Sequence, residues 1–131
     1  MGLAVCYDIH SILVKYARHK IWALLHCVAW VGSPGAWFTA DFPELLKEVS
    51  CPHYVISTNW STDSPQPWPG AGFSTHYGPY GEVLAYTSED VGSQILISAL
   101  PVVPGGRLPI TGRPGLNLDK YAAWTSMQPH H

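Results

Sequence analysis

Apolar positions in the first sixty residues switch between an unbroken pattern and a helical period. Leu3-Ala4-Val5-Cys6 is a short continuous apolar run, the pattern of a buried strand, and it stops at Tyr7-Asp8. Ile9, Ile12, Leu13, Tyr16 and Ala17 then recur at the spacing of an amphipathic helix, predicting a helix over 9–19. His10, Lys15, Arg18 and His19 occupy the other face. Asp8 is placed to be its N-cap, and Lys15, Arg18 and Lys20 suit the negative end of its dipole. A second run, Ile21 to Trp30, reads as a strand buried on both faces, and Gly32-Ser33-Pro34-Gly35 breaks it. Asp41-Phe42-Pro43-Glu44 is expected to open the next helix, with Asp41 as N-cap, Glu44 completing a capping box and Pro43 in the first turn. Phe42, Leu45, Leu46 and Val49 give that helix its buried stripe. His53 to Trp60 is the third strand, so the order is β-α-β-α-β, the sign of an α/β sheet.

Beyond Trp60 the pattern changes. Ser61 to Gly72 is a loop with three prolines and Trp68 inside it. Phe73 to Tyr77 and Glu82 to Thr87 flank Gly78-Pro79-Tyr80-Gly81 and predict a β-hairpin. Gln94 to Leu100 reads as one more strand. From Pro101 onward, repeated prolines and glycines preclude regular structure over most of the segment, while Leu108, Ile110, Leu116, Leu118, Tyr121 and Trp124 favour a tail laid along a partner. The division is therefore a domain over 1–100 and a Pro/Gly-rich tail over 101–131.

Composition narrows the function. The chain has 131 residues, enough for one core, and 47% of them are apolar, which excludes intrinsic disorder. Only 12% are charged, about half the usual share, while there are six Trp and seven Tyr. That imbalance predicts a surface meant to be covered, by copies of the chain or by a missing part of the same domain. A net charge of −2 with scattered basic residues gives no footprint for nucleic acid or for an anionic membrane surface. No apolar run is long enough to span a bilayer, the Met1-Gly2 start has Cys6 where a myristoylation signal needs Ser or Thr, and no secretory leader is legible. Cys6, Cys27 and Cys51 are an odd number at irregular spacing, which predicts reduced thiols and a cytoplasmic setting rather than a disulfide framework. Cys6 and His10 are four apart and His26 and Cys27 adjacent, but no second close pair completes a zinc site, so no metal or cofactor is expected.

Cys6 is the candidate for chemistry. A strand-to-helix turn presents a nucleophile at the carboxyl edge of a sheet, where helix N-terminal N–H groups favour an anion. Asp8 opposes that effect, and a small apolar role at a strand end is the plainer alternative. The surrounding residues add to the local case. Gly2-Leu3-Ala4-Val5-Cys6-Tyr7-Asp8 resembles the nucleophile segment of the nitrilase superfamily, the carbon–nitrogen hydrolases. Leu24 to Trp30 is similar to that family's next strand, Tyr54 to Trp60 to the strand ending in an Asn-containing loop, and Gly72-Phe73-Ser74 with Gly78-Pro79-Tyr80-Gly81-Glu82-Val83-Leu84-Ala85 to the hairpin that follows. The order and spacing of these segments, over about residues 2 to 100, carry the resemblance.

The resemblance implies half of an α-β-β-α sandwich and a Glu-Lys-Cys triad. In that scheme Cys6 is the nucleophile and the Tyr7 backbone N–H joins the oxyanion hole. Trp30, Asn59 and Trp60 are the implied substrate-binding residues. Cys-Tyr-Asp points to amide or carbamoyl substrates rather than nitriles. Two departures stand out. The family's Glu and Lys lie upstream of the cysteine, where this sequence has five residues, and the Pro-Glu usual shortly after it is replaced by Ile12-Leu13. The chain thus resembles the C-terminal half of a carbon–nitrogen hydrolase, with a non-catalytic remnant or interaction subunit as the rival expectation.

Overall fold

Among the described residues five strands form one sheet in the order in which they occur along the chain. The computed structural model describes residues 1–19, 21–30, 35–61, 70, 72–87 and 94–101. The first strand, β1 (Gly2–Val5), runs into a 3-10 turn at Cys6–Asp8 and then into α1 (Ile9–Arg18). Strand β2 (Ala23–Val28) pairs in parallel with β1 and with β3 (Tyr54–Asn59). Between β2 and β3 lies α2 (Phe42–Glu48), entered through a π-helical turn at Trp37–Asp41. Strands β4 (Thr75–Tyr77) and β5 (Val83–Tyr86) form the expected antiparallel hairpin, and β4 pairs antiparallel with β3.

Both helices pack on the same side of the sheet. Ile9 and Leu13 of α1 and Phe42, Leu45 and Leu46 of α2, with Val49 just beyond it, meet Ala4, Leu24, Val55 and Tyr77 in one buried cluster. The stripe read at Phe42, Leu45, Leu46 and Val49 is buried, and in the first stripe Ile9 and Leu13 are buried with Ile12 and Tyr16 packed against them, half-buried. The opposite side of the sheet is largely bare over β1 and β2. Leu3 and Val5 are each 54% exposed and Leu25 37%, with Cys27 exposed beside them. The expectation that β2 is buried on both faces therefore fails among the described residues: Leu24, His26 and Val28 turn inward, Leu25 and Cys27 outward.

The free edge of β1 is partly closed by α1. Tyr16 accepts a hydrogen bond from the Leu3 N–H at 3.0 Å and donates one to the Leu3 carbonyl at 2.9 Å. The Tyr16 ring lies directly on Gly2, where a β-carbon would meet it at 2.7 Å. Both groups that would otherwise invite another strand are thus occupied by one side chain.

Three local expectations are corrected. Asp8 does not cap α1; it lies in the 3-10 turn, and its Oδ2 accepts from the Val5 N–H at 3.3 Å. Asp41 is helical and makes no cap bond, and Glu44 pairs with Lys47 at 3.2 Å on the surface. The helix begins earlier than Asp41, so no capping box is formed. Proline explains the π turn that replaces it. Pro43 has no N–H to give to the preceding turn. The Phe42 N–H reaches back to the Trp37 carbonyl, and the next carbonyl, Phe38, accepts the Tyr77 hydroxyl at 2.7 Å. The wide turn accommodates Pro43, and a buried tyrosine from β4 satisfies the carbonyl left over.

The segment 94–101 has no regular structure and no ladder partner among the described residues, so the further strand expected over Gln94 to Leu100 does not form there. It touches the sheet through Ser98, which is 2.8 Å from His76 Nδ1, and through the Pro101 carbonyl, which accepts from the Tyr54 hydroxyl at 3.4 Å. Ile95 and Ile97 remain 89% and 85% exposed. Most of the loop expected over Ser61 to Gly72, Trp68 included, and the tail after Pro101 lie outside the described residues. Among the described residues no helix is long and apolar enough to cross a membrane.

Candidate active site

The site begins where β1 ends. Cys6 has φ 48°, the left-handed region that residues with a β-carbon seldom adopt, and its thiol is exposed. It opens the 3-10 turn that leads into α1, so the Tyr7 N–H also lies at this turn. A strained residue at a strand-to-helix elbow, with its side chain exposed, is an arrangement that can present a nucleophile at a sheet's carboxyl edge.

A small, partly open pocket adjoins the elbow. Ile9, Val28, Trp30 and Trp37 give it apolar walls, and Cys6, Tyr7, His10 and His26 supply its polar groups. Among the described residues none of the lining side chains is acidic or carries an ammonium. Burial lowers the pKa of both His10 and His26. For His26 the bond to the Cys6 carbonyl works against burial, nearby His10 works with it, and Asp8 again opposes it. Both rings are thus neutral near pH 7, and the pocket suits an uncharged ligand group.

Trp30 is held from both sides of its peptide. Its N–H donates to Asn59 Oδ1 at 2.9 Å, and its carbonyl accepts from Trp60 Nε1 at 3.0 Å. Asn59 Nδ2 meanwhile donates to the Gly72 carbonyl at 2.9 Å. The Trp30 ring stacks on Trp37 at 4.9 Å, and Trp37 stacks on Phe42 at 4.7 Å. Sequence order alone puts these aromatics in three separate segments; the sheet and the π turn bring them to one wall.

Of the candidates read from the sequence, Cys6, Tyr7 and Trp30 meet at the pocket. Asn59 and Trp60 do not line it and reach it through the Trp30 backbone. Two residues were missed. His10, assigned to the polar face of α1, is half-buried against the Tyr7 ring, with centroids 4.1 Å apart. His26, only 2% exposed, lies under the elbow. A histidine at an inward position of an otherwise apolar strand was the available signal.

The other two cysteines have different surroundings. Cys27 is on the bare side of the sheet. Cys51 is fully buried, with Sγ 3.5 Å from His53 Nε2. Among the described residues no three His, Cys, Asp or Glu side chains are placed to hold a metal ion.

No family model and no curated protein matches the chain. Solved structures do match. One is a cysteine-to-alanine mutant of an amidase from the nitrilase superfamily of Nesterenkonia AN1, with a TM-score of 0.55 at 18% identity. It shares 69% of this chain and 34% of its own. Nit3 of Saccharomyces cerevisiae, a member of branch 10 of that superfamily, matches with a TM-score of 0.55 at 19% identity, over 70% of this chain and 34% of its own. A further mutant of the Nesterenkonia amidase, which carries the acetamide moiety of fluoroacetamide covalently added at its active site cysteine, gives 0.57 at 21%, over 69% and 34%. This chain therefore spans about a third of the length of the structures it matches. At such identities the likeness shows the fold, and the expected partial α/β architecture is borne out.

Proposed function

From a partial nitrilase-superfamily fold with an exposed thiol at its elbow, we propose that this chain carries the nucleophile of a carbon–nitrogen hydrolase acting on amide or carbamoyl groups. The observation that supports the reading is Cys6 itself: left-handed, exposed, at the mouth of a pocket and at the start of a helical turn. Its thiolate attacks the carbonyl carbon, and the Tyr7 N–H donates to the oxyanion of the tetrahedral intermediate. The carbon–nitrogen bond then breaks, the protonated nitrogen leaves as ammonia or an amine, and water hydrolyses the thioester to restore the thiol. Trp30 forms the substrate wall, with Asn59 and Trp60 fixing its backbone.

The carboxylate and ammonium of the triad are not among the described pocket residues. In this reading they come from polypeptide that packs on the bare side of β1 and β2, where Leu3, Val5 and Leu25 stand uncovered. That covering layer is a further part of the same enzyme or another copy of the chain. A non-catalytic interaction subunit is the second reading, favoured by the same lack of a carboxylate in the pocket.

Ammonia release from a panel of small amides, carbamoyl compounds and nitriles separates the two. General base catalysis alone is worth about 10²–10⁴ in rate. The 131-residue chain is therefore expected to show no useful turnover, and a form that also carries the Glu and Lys segments is expected to turn over amides or carbamoyl compounds. In that form Cys6→Ala abolishes the activity and Cys27→Ala leaves it. Turnover surviving Cys6→Ala ends the nucleophile assignment, and an inactive complete form supports the interaction subunit.

A further inference from the structure

The left-handed backbone of Cys6 is strained and persists only where neighbouring bonds over-determine it. One such bond is the Val5 N–H to Asp8 Oδ2, ahead of the elbow. The other comes from beneath. His26 Nε2 lies 3.0 Å from the Cys6 carbonyl, and Ser57 Oγ lies 3.3 Å from His26 Nδ1. A neutral imidazole has one donor and one acceptor nitrogen. The Cys6 carbonyl accepts only, so Nε2 carries the proton and Nδ1 accepts from the Ser57 hydroxyl.

The sheet register builds this line. Ala4, His26 and Ser57 are direct partners on three adjacent strands, facing the helices, and Cys6 follows two residues after Ala4. Packing alone does not call for them there. Burying an imidazole and a hydroxyl in an apolar layer is unfavourable unless both are hydrogen-bonded, and here the bonds end on the elbow. His26 is 2% exposed and Ser57 fully buried.

We infer that His26 is a positioning residue for Cys6, clamping the strained elbow through the Cys6 carbonyl, and that Ser57 sets the tautomer that makes the clamp. The inference rests on the reading of Cys6 as nucleophile for its functional meaning. Its bonds are testable without turnover.

The test uses the full chain. Iodoacetamide alkylation is followed residue by residue by peptide mass spectrometry, with exposed Cys27 as reference and buried Cys51 as the reporter of unfolding. His26→Leu keeps bulk and removes the donor. His26→Gln places an amide N–H near the position of Nε2. His26→Leu releases the elbow and turns the thiol from its outward position, so Cys6 alkylation is expected to slow about tenfold relative to Cys27 while Cys51 stays protected. His26→Gln should restore most of the loss, which a merely structural role would not predict. Nitrogen-15 shifts of the native chain should show His26 protonated at Nε2, and Ser57→Ala should mix the tautomers. Equal Cys6 rates in the native chain and His26→Leu, or an Nδ1-protonated His26, overturn the clamp. Should His26→Leu expose Cys51, the native tautomer decides alone. Turnover that survives Cys6→Ala would instead remove the nucleophile reading and leave these measurements intact.

Discussion

Two cysteine–histidine corners in this protein bury their histidines alike and differ in what they do with the thiol. At the elbow, His26 bonds the Cys6 backbone and leaves the thiol exposed beside a pocket. At the end of α2, His53 meets the Cys51 thiol itself at 3.5 Å, with both side chains sealed in. Burial raises Cys51 to about 12 and lowers His53 to about 4, so that pair is neutral near pH 7. Backbone strain separates them too. Ser50, beside Cys51, is also left-handed at φ 54°, but there it ends a helix, with the Cys51 N–H returning to the Leu46 carbonyl at 2.8 Å. Cys6 closes no helix; it sits where β1 passes into the 3-10 turn. Proximity of thiol and imidazole is thus a poor guide to a site; exposure, strain and an adjoining pocket are better ones.

The largest expected contrast is in reactivity. Cys51 can be alkylated only when the fold opens, which at an ordinary stability of about 5 kcal/mol makes it at least about 10³-fold slower than Cys6 under native conditions. Alkylation of the native chain, read by peptide mass spectrometry with and without urea, checks this. Comparable native rates would erase the distinction between the corners.

Next in size is the pH dependence built into the buried corner. His53 falls from its ordinary 6.5 to about 4 in the folded chain. The unfolded chain takes up a proton below 6.5 that the folded chain refuses until about 4, so stability falls as pH drops through that window. The shift corresponds to about 3 kcal/mol. Cys51 acts with the opposite sense of pH: the unfolded thiol ionises above 9 while the folded one holds its proton to about 12, so stability also falls as pH rises past 9. Urea melts between pH 4 and 10 should therefore give a dome, and His53→Phe should flatten its acid side. An unchanged acid limb in that variant would assign the loss to other groups.

The smallest effect is the most specific. Cys6→Gly relieves a left-handed backbone and is expected to stabilise the chain by about 1 kcal/mol, whereas Cys51→Gly removes a buried side chain and destabilises by about 1–2 kcal/mol. Thermal melts of the two variants give the signs. Destabilisation by Cys6→Gly would mean that the thiol contributes to packing and that the elbow is not strained in the sense argued.

What the sequence determined by itself was what periodicity and local chemistry carry. The stripes at Ile9-Ile12-Leu13 and Phe42-Leu45-Leu46-Val49, the apolar strand runs and the Gly78–Gly81 turn specified helices, strands and hairpin, because burial and turn geometry act through neighbours in the chain. Cys6 at a strand-to-helix junction was legible for the same reason, whereas Tyr7 and Trp30 were named only through the resemblance to the nitrilase superfamily. Tertiary structure decided the rest. The π turn before α2 depends on Pro43 together with a hydroxyl from Tyr77, far along the chain. Whether β2 hides one face or two depends on what packs against it, and an unbroken apolar run does not encode that. Asn59 and Trp60 became supports of Trp30, and His26 the partner of the Cys6 carbonyl, only because parallel pairing brings β1, β2 and β3 into one register. A hydrogen bond between residues twenty or thirty positions apart leaves no periodic trace in the sequence; the sheet creates it by placing strand ends side by side.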